Sequence, residues 1–204
     1  LGNDGPSMLK DVDVLTSGEY IAVGEDTTDG ATILVVRGDA AGKVNAQRFL
    51  TTQTKSGQYA TSVFALPDGG AWIGGGIGHS TGAGDGVLVR IDAALNATHS
   101  AKIVGTGAVE VADIAVVGTR LVTLSTRSAA GKSTGKLDFF TLVGIPIAAG
   151  PELQLSGSGI IEGNAFAADS SGLLVVASAG TGATQNRASA RTDHYGNSSC
   201  AASD

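Results

Sequence analysis

A glycine followed by a short apolar run returns about every 50 residues along this chain, and that period restricts the fold more than any single residue does. The runs are GEYIAVG from Gly18, GAWIGGG from Gly70, GTRLVTL from Gly118 and GLLVVAS from Gly172, with their glycines 52, 48 and 54 residues apart. A second feature keeps nearly the same step. The segments ILVVRGDAAG (33–42), GVLVRIDAAL (86–95) and ASARTDHYG (188–196) bring Arg37, Arg90 and Arg191 into register, and Asp39, Asp92 and Asp193 follow two positions later. The third copy, KLDFFTLVGIP from Lys136, keeps the apolar run without the Arg or the Asp.

Each period divides into four strand-sized pieces of alternating or β-branched apolar residues separated by Gly, Asp, Asn or Ser turns. The second copy reads YATSVFAL (59–66), AWIGG, VLVRID and THSAKIV (98–104). The first reads LKDVDVL, EYIAVG, TILVVRGD and KVNAQRFL, and the third VEVADIAVV, RLVTLS, KLDFFTLV and ELQLSG. The fourth gives GNAFAAD, LLVVAS and ASARTD, and its last piece falls inside Ser198 to Asp204. No segment carries apolar residues at i, i+3, i+4 and i+7 with helix caps, so an all-β chain is expected. The 31 glycines beside a 42% hydrophobic content fit many tight turns between buried runs, not a disordered linker.

A β-sandwich also uses short strands, but nothing in it demands self-similarity at this period. A β-propeller does, because each blade is a four-stranded meander whose two faces are buried only by its neighbours. The expectation is a single propeller domain of four blades, each of four antiparallel strands, over about 8–50, 59–105, 109–157 and 160–204. Those blades either close on themselves or form part of a larger ring. With an apolar-Arg-apolar-Asp-x-x-Gly ending to its third strand, the repeat resembles bacterial β-propeller repeats of the broad quinoprotein-like and delta-60-like kind. The Gly-His and Trp-Asp marks of WD40 blades are missing, and so is the repeated tryptophan of quinone-cofactor blades, since Trp72 is the only one. What the resemblance implies is a fold and no particular activity.

The repeated Arg and Asp residues serve the repeat, the Asp as turn chemistry. AAGKST (129–134) is similar to the end of a phosphate-binding loop, but Thr126 stands where that motif needs glycine and a strand follows where it needs a helix N-terminus. The informative loops are those joining second to third strands, which share one rim with the blade-to-blade connections. They hold Glu25, Asp26 and Asp29 in the first copy, His79 and Asp85 in the second, Arg127, Lys132 and Lys136 in the third and Arg187 in the fourth. Half of that rim is acidic and half basic. These loops are the expected ligand-binding positions. Clustered carboxylates make Ca²⁺ the cation to consider there, although the spacing matches no complete calcium loop; no other cofactor is predicted.

Asp13 and Asp113 each lie five residues before a repeat glycine, on strands that would line the central channel. They are channel candidates for holding a cation or water, or for accepting backbone hydrogen bonds from a neighbouring strand. Enzyme chemistry has little support. His79 falls in a loop, His99 on an outer strand and His194 in a turn, which does not bring two together as metal ligands; no Gly-x-Ser-x-Gly elbow is present, and Asn96-Ala97-Thr98 and Asn197-Ser198-Ser199 are chance-level matches to a glycosylation acceptor. Cys200 is the only cysteine, so no intrachain disulfide forms. A net charge of -6 without a basic block argues against nucleic acid, and the apolar runs are too short for a membrane-spanning helix. Few Lys and many Ser, Thr and Gly suit a secreted or cell-envelope bacterial protein. The expected role is a non-catalytic scaffold or binding module for a protein or glycan. The alternative is part of a propeller hydrolase, lyase or quinoprotein whose catalytic residues lie partly outside this chain. An incomplete ring would leave blade faces open to oligomerisation.

Overall fold

In a computed structural model, the structure describes residues 7–28, 32–51, 57–78, 84–129, 132–142, 144, 146–153, 161–169, 172–179, 186–193 and 198–202. They form sixteen strands in four separate antiparallel sheets. Blade 1 runs in order from β1 (Ser7–Val14) through β2 (Tyr20–Asp26) and β3 (Thr32–Gly38) to β4 (Val44–Leu50). Blade 2 follows with β5 (Gln58–Ala65), β6 (Ala71–Ile77), β7 (Gly86–Ile91) and β8 (Ala97–Ile103). Blade 3 holds β9 (Ala108–Val117), β10 (Arg120–Ala129), β11 (Lys132–Thr141) and β12 (Pro146–Leu153). Blade 4 holds β13 (Ile161–Asp169), β14 (Gly172–Ala179), β15 (Asn186–Thr192) and β16 (Ser198–Ala202).

The first strand of every blade carries one bulge. Register pairs skip Lys10 in β1, Thr61 in β5, Ala112 in β9 and Asn164 in β13, so the bulges recur at steps of 51, 51 and 52. A bulge turns the strand and re-aims the residues after it. This gives a better ruler for equivalence than the turn glycines, because the first turns differ in length. Val14 pairs with Tyr20 and Ala65 with Ala71 across five-residue turns, whereas Val117 pairs with Arg120 and Asp169 with Gly172 across two. In the long turns Gly18 and Gly69 adopt φ of 84° and 82°, a left-handed conformation costly for any residue with a Cβ.

The core lies between consecutive blades. Ile21, Val23, Ile33 and Val35 of blade 1 meet Val63, Ile73, Val87 and Val89 of blade 2. Trp72 and Leu88 of blade 2 meet Val111, Ile114, Leu121 and Phe140 of blade 3. Val122, Leu124, Leu137 and Phe139 of blade 3 meet Phe166, Leu173 and Val175 of blade 4. Each such side chain contributes roughly 1.5–3 kcal/mol by leaving water. Blade 2 turns small residues toward blade 3: a Cβ on Gly74 would stand 2.5 Å from Val111 Cγ1. First strands pack on first strands from blade 1 to 2, 2 to 3 and 3 to 4; among the described residues no strand packing of that extent joins blade 4 to blade 1.

One of two details differs from the sequence reading. The last strand of blade 3 is Pro146–Leu153, earlier than ELQLSG. An edge strand tolerates Pro146 and Pro151, which have no N–H to offer. The other detail agrees with that reading: Ala129 at the end of β10 pairs with Lys132 at the start of β11, so the strand expected after AAGKST is present.

Candidate functional site

The first strands bring carboxylates to the inner edge of the blades, where each one bridges to the next blade. Asp11 Oδ1 accepts the N–H of Val12 at 2.9 Å and its Oδ2 that of Val63 in blade 2 at 2.8 Å. Asp13 repeats the pattern with Val14 and Ala65, both at 2.8 Å. Asp113 repeats it with Ile114 and with Phe166 in blade 4, again at 2.8 Å. Between blades 2 and 3 the acceptor is a hydroxyl: Ser62 Oγ takes the Ile114 N–H at 3.0 Å and donates to Asp113 Oδ1 at 3.3 Å. Thr61 Oγ1 donates to the carbonyl of Val111. The carboxylate and Ser62 bridges thus satisfy backbone donors, and Thr61 a backbone acceptor, on strands that have no sheet partner on that side.

The bulge ruler makes Asp11, Ser62, Asp113 and Ala165 equivalent, each one residue past its bulge. Asp113 therefore corresponds to Asp11, and Asp13 is an extra carboxylate one step along the same strand. The glycine count misses this because Gly18 closes a longer turn than Gly118. Burial pushes the Asp113 carboxyl above the usual aspartate range against the pull of its three donors, and the negative charge of Asp11 adds to the rise.

The rim that carries the β2–β3 loops gathers a second set of groups. Tyr59, buried at the start of β5, donates its hydroxyl to Glu110 Oε2 at 2.7 Å. Burial raises the pKa of that phenol far above its ordinary value, and the carboxylates of Glu110 and Glu25 raise it further. Glu25 also faces Lys10 at 3.6 Å, and Asp85 faces Lys102 at 3.6 Å. Asp26 is nearly buried, and the Ser7 hydroxyl with the Thr28 N–H holds its carboxyl below the usual range. Of the positions read from the sequence, Glu25, Asp26 and Asp85 thus occupy this rim, while Asp29 and His79 lie outside the described residues. Tyr59 and Glu110 were not anticipated, since their meeting depends on how two first strands lie side by side. On the basic half, Arg127 Nη2 and Lys136 Nζ converge on Asp138 at 2.9 and 3.4 Å. Among the described residues no three His, Cys, Asp or Glu side chains come together as metal ligands.

The repeated arginines lie at the other ends of the strands and tie down turns. Arg37 bonds Glu19 in its own blade at 2.7 Å and the Ala93 carbonyl of blade 2 at 2.7 Å. Arg90 pairs with Asp68 and Arg191 with Asp169. In blade 3 the equivalent place is Phe139, which packs into the core shared with blade 4. Asp39 and Asp92 cap their turns, each accepting two backbone N–H bonds through Oδ1.

No family model matches this chain, and no curated protein matches it. Solved structures do. The tail fiber of a Staphylococcus aureus phage matches at 12% identity and a TM-score of 0.35, over 90% of this chain and 49% of that one, so the chain spans about half the length of that fiber. An exo-1,5-alpha-L-arabinanase from a bovine ruminal metagenomic library matches at 11% identity and a TM-score of 0.48, over 92% and 74%. A GH43 endo-arabinanase from Bacillus licheniformis matches at 14% identity and a TM-score of 0.51, over 92% of this chain and 74% of that one. At 14% identity the likeness to the endo-arabinanase concerns the backbone alone and supports an all-β propeller fold, while the four antiparallel blades are this chain's own sheets.

Proposed function

We propose that this chain is a non-catalytic propeller scaffold or binding module of a secreted or envelope protein, and that it meets a protein partner at the rim formed by its β2–β3 loops and blade connections. The observation that carries this reading is the engagement of the inner carboxylates. Asp11, Asp13 and Asp113 each hold two backbone N–H groups, which commits these three inner carboxylates to joining blades and not to acid and base roles. A protein is favoured over a glycan because most of the aromatic side chains that could stack on a sugar are withdrawn: Trp72, Tyr59, Phe139, Phe140 and Phe166 are buried, and among the described residues Phe49 is the one aromatic that is exposed. Glu25, Glu110 and Asp85 at the rim suit cationic groups on a partner.

A photo-crosslinking side chain placed at Glu25 or at Thr119, which stands on the opposite rim, tests this in cells carrying the protein in its own envelope. Capture of one discrete, salt-sensitive partner from position 25 and none from 119 is expected. Equal capture from both positions contradicts the proposed face.

The second reading is a segment of a propeller enzyme, for which the resemblance of fold to arabinanases leaves room. One observation favours it: the Asp113 carboxyl is held toward its protonated form, as a general acid requires. Release of reducing ends from arabinan or another polysaccharide, abolished by Asp113→Asn in a folded protein, would establish this reading in place of the first.

A further inference from the structure

The three blade interfaces share one construction. The residue one past the bulge in a first strand supplies an acceptor, and the residue two past the bulge in the next first strand supplies its backbone N–H and buries its side chain against the preceding blade. Asp11 meets Val63, Ser62 meets Ile114 and Asp113 meets Phe166 in this way. The receiving side chains are 5%, 3% and 9% exposed. Val12 is the same position in blade 1, and it is 58% exposed. Its N–H bonds to the adjacent Asp11, and no acceptor from another blade reaches it among the described residues.

The surroundings of Val12 repeat that contrast. The pairings Val12–Ala22–Val36, Val14–Tyr20–Gly38 and Leu9–Gly24–Leu34–Phe49 place these side chains on the face of blade 1 turned away from blade 2. Ala22, Leu34 and Val36 at the centre of that face are buried, while Leu9, Val12 and Val14 on the first strand and Val44 and Phe49 on the last are exposed. The exposed positions thus lie along both edges of this face, and they are most exposed at Val12 and Val14 on the inner strand, where the other interfaces form their bridge.

We propose that the β1 edge of blade 1 is a docking surface for a further propeller blade, preceding β1 in the polypeptide, whose first strand carries Asp or Ser one residue past its bulge. The chain's own blade 4 does not fill this role, because the matching position is Ala165 and the next inward position is Ala167; neither side chain offers an acceptor. A second copy fails for the same reason. The order of the chain agrees, since at every interface the acceptor blade comes immediately before the donor blade in sequence.

A graft tests the docking directly. Ile161 and Ser7 each stand three residues before their bulges, so residues 108–160, which form blade 3 and its outgoing connection, can be placed ahead of Ser7 to present a second Asp113 to Val12. The expected result is exchange of the Val12 amide slowed about tenfold in the grafted protein, an effect of one added backbone hydrogen bond in a buried place. The same graft carrying Asp113→Ala in the added copy should lose that protection while keeping its sheet. Equal exchange in the two grafts overturns the proposal. So does a dimer of the 204-residue chain that Val12→Lys dissolves, because the surface would then belong to a second copy.

Discussion

Asp113 Oδ2 lies 2.8 Å from the backbone nitrogen of Phe166, one repeat further along the chain, and this contact fastens blade 3 to blade 4. Asp113→Ala leaves the Phe166 N–H without its acceptor at a part-buried site. A loss of about 1–3 kcal/mol is expected in urea denaturation. Asp113→Asn, oriented with its oxygen toward Phe166, should lose less. Equal stability of the Ala variant and the parent would show that this bridge carries no weight.

Acidification should separate two kinds of carboxylate in this fold. The folded pKa of Asp113 is raised by burial, so its contribution to stability is complete below the unfolded aspartate value and is lost as pH rises through the folded value. Asp92 is lowered by the Asn96 N–H and side chain, so its contribution exists above the unfolded value and is lost as pH falls through the folded one. Going from neutral pH toward pH ~4, the melting temperature of the parent should therefore gain on Asp113→Asn and lose relative advantage over Asp92→Asn. Parallel pH profiles for the two variants would contradict the assignment.

Two adjacent glycines in β6, Gly74 and Gly75, should respond differently to alanine. A Cβ on Gly75 would lie 1.9 Å from the Tyr59 carbonyl oxygen, which is backbone beside a bulge and cannot step aside. On Gly74 it would meet the Val111 side chain at 2.5 Å, which separates blades 2 and 3 but leaves β5 intact. Gly74→Ala should cost about 1–3 kcal/mol and Gly75→Ala more. Thermal melts of the two variants, read side by side, check the order.

Arg37 and Arg90 are equivalent in the repeat yet bonded differently. Arg37 reaches Glu19 and, across the blade boundary, the carbonyls of Ala93 and Gly69, whereas Arg90 pairs with a largely exposed Asp68 inside its own blade. Arg37→Ala should destabilise by about 1–2 kcal/mol and Arg90→Ala by less than about 1. A cost for Arg90→Ala equal to that for Arg37→Ala would mean that the contact across the boundary adds nothing.

The blade repeat was legible because turn glycines and third-strand Arg residues recur in the sequence, and the sheets follow that period. The bridge was only half legible. Asp13 and Asp113 stood out by their distance from a glycine, but turns of five and two residues make that distance a poor guide, and Asp11 was passed over. The bulge that makes Asp11 and Asp113 equivalent has no consistent residue type, being Lys10, Thr61, Ala112 and Asn164, so no motif announces it. Ser62 hid for another reason: it does with a hydroxyl what its equivalents do with a carboxylate. The acidic rim was legible as composition, while the Tyr59–Glu110 bond required the two strands to be seen side by side.

The claim that inner-strand side chains join successive blades at one-repeat spacing is tested most directly by scalar coupling across the hydrogen bonds in ¹⁵N,¹³C-labelled protein. Coupling is expected from the amide nitrogen of Val63 to the carboxyl carbon of Asp11, from Ala65 to Asp13 and from Phe166 to Asp113. Absence of all three couplings, with those carboxylates mobile and their partner amides exchanging freely, would contradict it.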